Sequence, residues 1–162
     1  MAAEIERKFL LDQLPAEVGR VPAANLRQGY LALDGDTEVR VRLEDGSAVL
    51  TLKHGAGRVR TEVELELSDE QAEALWPVGE GRRIEKRRRR VPHGELVIEV
   101  DEYDGELDGL LVAEIEFPDE GAAERFEPPA WFGREVTGES AYTNQRLACQ
   151  GRPRGGDRWA TS

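Results

Sequence analysis

The sequence predicts a mainly β fold, α+β in class, with antiparallel strands and a few surface helices. Three observations predict it. Apolar and charged residues alternate over about eight short stretches, the period of a strand with one apolar and one charged face. The stretches are separated by brief glycine- and aspartate-bearing turns, too short for the crossovers that parallel neighbours need. Helical signals are confined to three short segments.

In the first stretch, residues 3–10, Glu4, Glu6 and Lys8 share one face, and Ile5, Phe9 and the stem of Arg7 share the other. Two carboxylates and an ammonium side by side suit a hard cation held beside a phosphate. Residues 26–33 form the second strand, closed by Asp34-Gly35-Asp36. In 37–44, Glu38, Arg40 and Arg42 oppose Val39, Val41 and Leu43; Asp45-Gly46 then turns the chain into 48–53, where Lys53 opposes Leu50 and Leu52. In 58–67, Arg58, Arg60, Glu62, Glu64 and Glu66 oppose Val59, Val63, Leu65 and Leu67. Ser68-Asp69-Glu70-Gln71 reads as a capping box opening a helix to about Trp76, ended by Pro77 and Gly79.

The second half repeats the pattern. In 84–91, Lys86, Arg88 and Arg90 share a face; in 95–103, Glu99 and Asp101 oppose Leu96, Ile98 and Val100; in 110–117, Glu114 and Glu116 oppose Leu111, Ala113, Ile115 and Phe117. A short helix is expected from Asp119 to about Phe126, stopped by Pro128-Pro129, and a last one over 139–148. Residues 1–150 read as one domain, and 151–162, rich in glycine and arginine without apolar period, as a disordered tail.

Composition narrows the function classes. The chain has 162 residues, with 33 acidic against 22 basic, for a net charge of −11. That argues against a nucleic-acid partner, whose phosphates call for a cationic footprint, but leaves room for a small anion in a local basic pocket. Cys149 is the single cysteine, so no intrachain disulfide or cysteine-rich zinc site is expected. No apolar run is long enough for a bilayer, and Met1-Ala2-Ala3-Glu4 lacks a secretory pattern, so no membrane partner and a reduced, cytoplasmic setting are expected. His54 and His93 sit in turn signals, isolated from any nucleophile. Oligomeric state is left open.

Alternation alone fits two architectures: an open sheet or sandwich with its charged faces in water, or a closed barrel whose lumen carries the charge. The charges are segregated along the chain. Acids come as Glu4/Glu6, Glu62/Glu64, Glu99/Asp101 and Glu114/Glu116, and bases as Arg40/Arg42 and Lys86/Arg88. Like charges two apart on one face repel, which is tolerated where a counterion or charged ligand belongs.

Taken in order, these motifs with Lys8 and Lys53 resemble the CYTH, or triphosphate tunnel metalloenzyme, superfamily over about residues 3–148. The resemblance implies a closed eight-stranded antiparallel β-barrel, a tunnel that binds a triphosphate with Mg2+ or Mn2+. Activities in the superfamily include inorganic, RNA and thiamine triphosphatase and adenylate cyclase. Carried onto this chain, it assigns Lys8, Arg40, Arg42, Lys53, Arg60, Lys86 and Arg88 to the phosphate chain, because guanidinium forks and ammoniums match phosphate oxygens. It assigns Glu4, Glu6 and Glu116, with Glu114 in support, to a metal. Glu62, Glu64, Glu99 and Asp101 would hold a second metal or position the attacking water, with Lys8 also at the reacting phosphate. The activity expected is metal-dependent hydrolysis of tripolyphosphate to pyrophosphate and phosphate, with ATP a further candidate substrate. A class IV-type adenylate cyclase, or a polyphosphate- or nucleotide-binding module without catalysis, are the alternatives. In short members resembling this chain, Tyr30 and the last helix narrow one mouth of the tunnel.

Overall fold

The computed structural model describes residues 5–55 and 61–153. Glu4, Arg60 and most of the expected tail lie outside the described residues. The strands are β1 (Glu6–Leu10), β2 (Ala24–Asp34), β3 (Thr37–Glu44), β4 (Ser47–His54), β5 (Thr61–Leu67), β6 (Arg83–His93), β7 (Leu96–Tyr103) and β8 (Leu111–Glu116). The helices are α1 (Ala16–Gly19), α2 (Asp69–Leu75), α3 (Glu120–Arg125) and α4 (Asn144–Gln150).

Local chemistry accounts for the boundaries. Asp45 and Gly46 both take positive φ, the geometry of a two-residue hairpin turn whose twist matches its strands. The capping box is present in full: Ser68 Oγ accepts from the Gln71 N–H at 3.1 Å, and Gln71 Oε1 accepts from the Ser68 N–H at 2.9 Å. Asp119 caps α3 by accepting from the Ala122 N–H at 2.7 Å. The last helix differs from its expected 139–148 span. Ser140–Tyr142 form a 3-10 turn, Thr143 is extended, and its hydroxyl caps a helix that begins only at Asn144. The four-residue α1 is too short to leave a helical period in the sequence.

All eight strands form one antiparallel sheet, in the order β1-β8-β7-β6-β2-β3-β4-β5. The sheet curls as the barrel reading expects, although among the described residues no hydrogen-bonded ladder joins β5 to β1. The reason is local. The free edge of β1 is taken by a returning segment, with the Leu10 N–H donating to Arg134 O, the Gly133 N–H to Leu10 O, and the Val136 N–H to Lys8 O. Arg7 fastens this strap by pairing with Glu135 at 2.7 Å and donating to Ala123 O and Phe126 O. β5 is left as an exposed edge, with Val63 and Leu65 about half exposed on its apolar face.

The apolar faces turn outward, and those of β7 and β8 are covered there. Ile98, Val100, Ala113 and Ile115 of β7 and β8 pack beneath Val18 of α1, Ala123 of α3 and the rings of Phe126, Trp131 and Phe132. The charged faces turn inward, as the barrel reading requires. One end of that interior is apolar: Ile84, Tyr103 and Val112 receive Leu147, so that α4 seals the end.

Candidate active site

Side chains from all eight strands and the start of α4 line one cavity of about 450 Å3. Its cations are Lys8, Arg40, Arg42, Lys53, Arg88 and Arg90, and its carboxylates are Glu6, Glu38, Glu62, Glu64, Glu99, Glu114 and Glu116. The strand register produces this arrangement. Lys8 lies opposite Glu114, Glu114 opposite Glu99, and Glu99 opposite Arg90, giving one row across β1, β8, β7 and β6. On the far wall, Tyr30, Arg40, Thr51 and Glu64 form a second row, and Glu38, Lys53 and Glu62 a third. Lys8 with Glu114, Arg90 with Glu99, and Lys53 with Glu38 and Glu62 set base against acid across strands, which relieves repulsion there, while Glu114 against Glu99 and Glu6 against Glu116 set acid against acid.

The cations differ in how firmly they are held. Arg42 Nε donates to Gln28 Oε1 at 2.9 Å, and Gln28, fully buried, donates in turn to the Tyr30 hydroxyl at 2.7 Å. Burial lowers the Arg42 guanidinium from its ordinary value, and the neighbouring Arg40 and Arg88 add to that. Burial also pushes the Tyr30 hydroxyl up to about 12, so it stays protonated. Arg40 Nε is buried with no hydrogen bond among the described residues, an orphaned donor on the cavity wall. Lys8 Nζ donates to Tyr142 O at 3.2 Å and stands 3.9 Å from Glu114.

Lys86 and Asp101 stand apart. Both are buried and do not line the cavity. Lys86 Nζ lies 2.7 Å from Asp101 Oδ2, while Arg88 grips the same carboxylate through Nε at 2.8 Å and Nη2 at 2.9 Å. The remaining nitrogen, Arg88 Nη1, reaches Glu99 at 3.2 Å. Burial drives the Lys86 ammonium down to about 8 against the attraction of Asp101. Burial opposes ionisation of Asp101, but its two cations outweigh that and hold it well below the usual carboxylate range.

Among the expected site residues, then, Lys8, Arg40, Arg42, Lys53, Arg88, Glu6, Glu62, Glu64, Glu99, Glu114 and Glu116 meet at one cavity; Lys86 and Asp101 lie behind its wall. Arg90 and Glu38 also line it. Their signal was in the sequence, since each shares a strand face with an assigned base pair. Arg90 bridges Glu44 at 2.9 Å and Glu99 at 3.5 Å. Thr143, Asn144 and Gln145 line the cavity too, and no strand period could announce them.

Burial opposes ionisation of Glu114 as well, yet a hydrogen bond with Glu6 and the fields of Lys8, Lys86 and Arg88 keep it below the ordinary glutamate range. Two carboxyl groups so close share either a proton or a cation. Among the described residues, no three acidic, cysteine or histidine side chains converge into a finished metal cage. No helix there is long and apolar enough to cross a membrane.

Known proteins resemble this chain in sequence and fold. The CYTH domain model matches residues 2–142. An inorganic triphosphatase from Nitrosomonas europaea is 45% identical over 148 residues, covering 90% of this chain and 96% of that protein. An inorganic triphosphatase from Acetivibrio thermocellus is 41% identical over 149 residues, covering 91% and 94%. A crystal structure of an inorganic triphosphatase superposes with a TM-score of 0.75 at 40% identity, over 94% of this chain and 99% of that one.

Proposed function

The chain belongs to the CYTH domain family, and from that premise we propose that it hydrolyses inorganic triphosphate to pyrophosphate and phosphate. One observation carries the reading: six cations and seven carboxylates from eight strands line a single cavity. Guanidinium and ammonium groups gathered on one cavity wall match the oxygens of a multiply charged phosphate chain, and the carboxylates beside them suit a cation bound with it. Arg40, Arg42, Arg88, Lys8 and Lys53 grip the phosphate chain, and Arg60 extends the same set. The orphaned Arg40 Nε supports an anion there. Lys86 and Asp101 act from behind the wall, where Asp101 clamps Arg88 in a fixed orientation.

The carboxylates divide by position. Glu6, Glu114 and Glu116, with Glu4 two positions before Glu6, would hold Mg2+ or Mn2+. The donor set fits: all are hard oxygen ligands, and the close Glu6–Glu114 pair suits a shared cation. Magnesium takes one or two carboxylates and completes its shell with water and phosphate oxygens. When bound, the ion neutralises phosphate charge and helps align the leaving group. Glu62 and Glu64 hydrogen-bond and orient the attacking water, and Lys8 stabilises charge at the reacting phosphoryl group. Glu99, engaged by Arg88 and Arg90, supports the wall. The water oxygen bonds to the terminal phosphorus, the bond to the pyrophosphate oxygen breaks, and the water proton passes to a carboxylate and then to solvent. Catalysis of this kind is positioning and charge neutralisation.

Offering tripolyphosphate, ATP and thiamine triphosphate with Mg2+ or Mn2+, and measuring phosphate, pyrophosphate and cyclic AMP, tests the proposal. Phosphate released from tripolyphosphate, with little from ATP, is expected. Cyclic AMP and pyrophosphate from ATP would make the chain a cyclase, and tight binding without turnover a binding module.

A further inference from the structure

We propose that Asn144 is a substrate-binding residue, presenting its side-chain amide N–H groups to a phosphate oxygen at the α4 end of the cavity. The inference rests on the triphosphatase reading and adds a residue from outside the sheet. Asn144 lines the cavity. Its Oδ1 is turned away from the lumen, accepting from the Tyr103 hydroxyl at 2.8 Å and facing Lys86 Nζ at 3.5 Å. An ammonium has no acceptor to offer, so the oxygen of the amide, not its nitrogen, must face Lys86. That leaves Nδ2, carrying both donors, for the cavity. Donors on a cavity wall select an anion and repel a cation, which assigns the contact to phosphate oxygen and not to a metal.

The neighbouring Thr143 does not duplicate it. Thr143 Oγ1 is committed, donating to Ser140 O at 2.9 Å and accepting from the Arg146 N–H at 3.2 Å. The segment is also held in place: Lys8 Nζ donates to Tyr142 O, and Leu147 is locked among Ile84, Tyr103 and Val112. The amide is thus pre-set before substrate arrives, the condition under which a single hydrogen bond contributes most to binding.

Asn144→Asp keeps the inward oxygen and replaces the donors with a negative oxygen. Asn144→Ala removes both. With tripolyphosphate and Mg2+, KM is expected to rise at least about tenfold in both variants, the range for a hydrogen bond to a charged group, and further in the first, with kcat within about threefold of wild type. KM does not depend on the folded fraction, so it reports even where a variant lowers Tm. A KM within twofold of wild type in both variants overturns the inference, whatever happens to Tm. If wild type does not turn over tripolyphosphate, the functional reading fails separately. Calorimetric Kd for tripolyphosphate then decides, and equal values for wild type and Asn144→Asp overturn the contact.

Discussion

Asp101→Asn isolates the buried cluster behind the cavity wall. The Asp101 carboxylate accepts from Lys86 Nζ at 2.7 Å and from Arg88 at 2.8 and 2.9 Å, all out of water. Neutralising it leaves Lys86 without its counter-charge and Arg88 with Glu99 alone, and breaking such a buried pair from one side costs about 3–5 kcal/mol. One relief is available, because Lys86, already lowered to about 8, can shed its proton. Each unit by which its pKa falls below ambient pH costs nothing further, whereas staying charged costs about 1.4 kcal/mol per unit. We therefore expect a loss of about 3 kcal/mol at pH 7, read from urea unfolding through the three tryptophans. Lys86→Met removes the cation but leaves the Asp101–Arg88 fork whole, and should cost less than about 1.5 kcal/mol. Combined with Asp101→Asn, it should recover at least about 1 kcal/mol relative to the sum of the two. The sign with pH follows. Lys86 in the variant has a folded pKa below that in wild type, so between the two values the unfolded state holds more protons and stability climbs with pH. The deficit should be larger at pH 6 than at pH 8. A loss under about 1 kcal/mol, or a deficit that grows with pH, would refute the account of a compensated buried cluster.

Other perturbations probe separate parts. Glu6→Gln should raise the Mg2+ concentration for half-maximal turnover at least about tenfold; an unchanged activation curve would remove Glu6 from the metal set. Arg42→Lys keeps the charge but loses the planar fork and the bond to Gln28, so KM for tripolyphosphate should rise about tenfold; an unchanged KM would mean that the fork is not used. At Gly133 an added Cβ would meet Leu10 O at 2.7 Å, so Gly133→Ala should push the strap off β1. A cost of about 1–3 kcal/mol, or a Tm lower by about 2–10 °C, is expected by differential scanning calorimetry, and an unmoved Tm would show that the strap can yield.

Strand positions and faces were legible because a two-residue period survives whatever the strand packs against. Glu-x-Glu and Arg-x-Arg doublets could therefore be placed on one surface before any contact was known. Period tells which way a side chain points, but not how deep along the strand it ends. Lys86 and Arg88 share a face, yet Tyr103 and α4 cover the first while the second reaches the cavity. Asn144 was illegible for a related reason. Its place depends on where a short C-terminal helix docks, a tertiary outcome fixed by Leu147 and Thr143 and by no repeat. The strap on β1, beside which no ladder to β5 is found among the described residues, was hidden likewise, since residues 133–137 carry no strand alternation and reach β1 across more than a hundred positions.

That boundary has a mechanical consequence. A sealed cylinder of strands can widen only by breaking backbone bonds, whereas a slotted one changes bore by flexing. Among the described residues no ladder crosses between the strapped β1 and β5, so Glu62, Glu64 and Lys53 stand at or beside one margin of the sheet and Glu6, Lys8 and Glu114 at or beside the other.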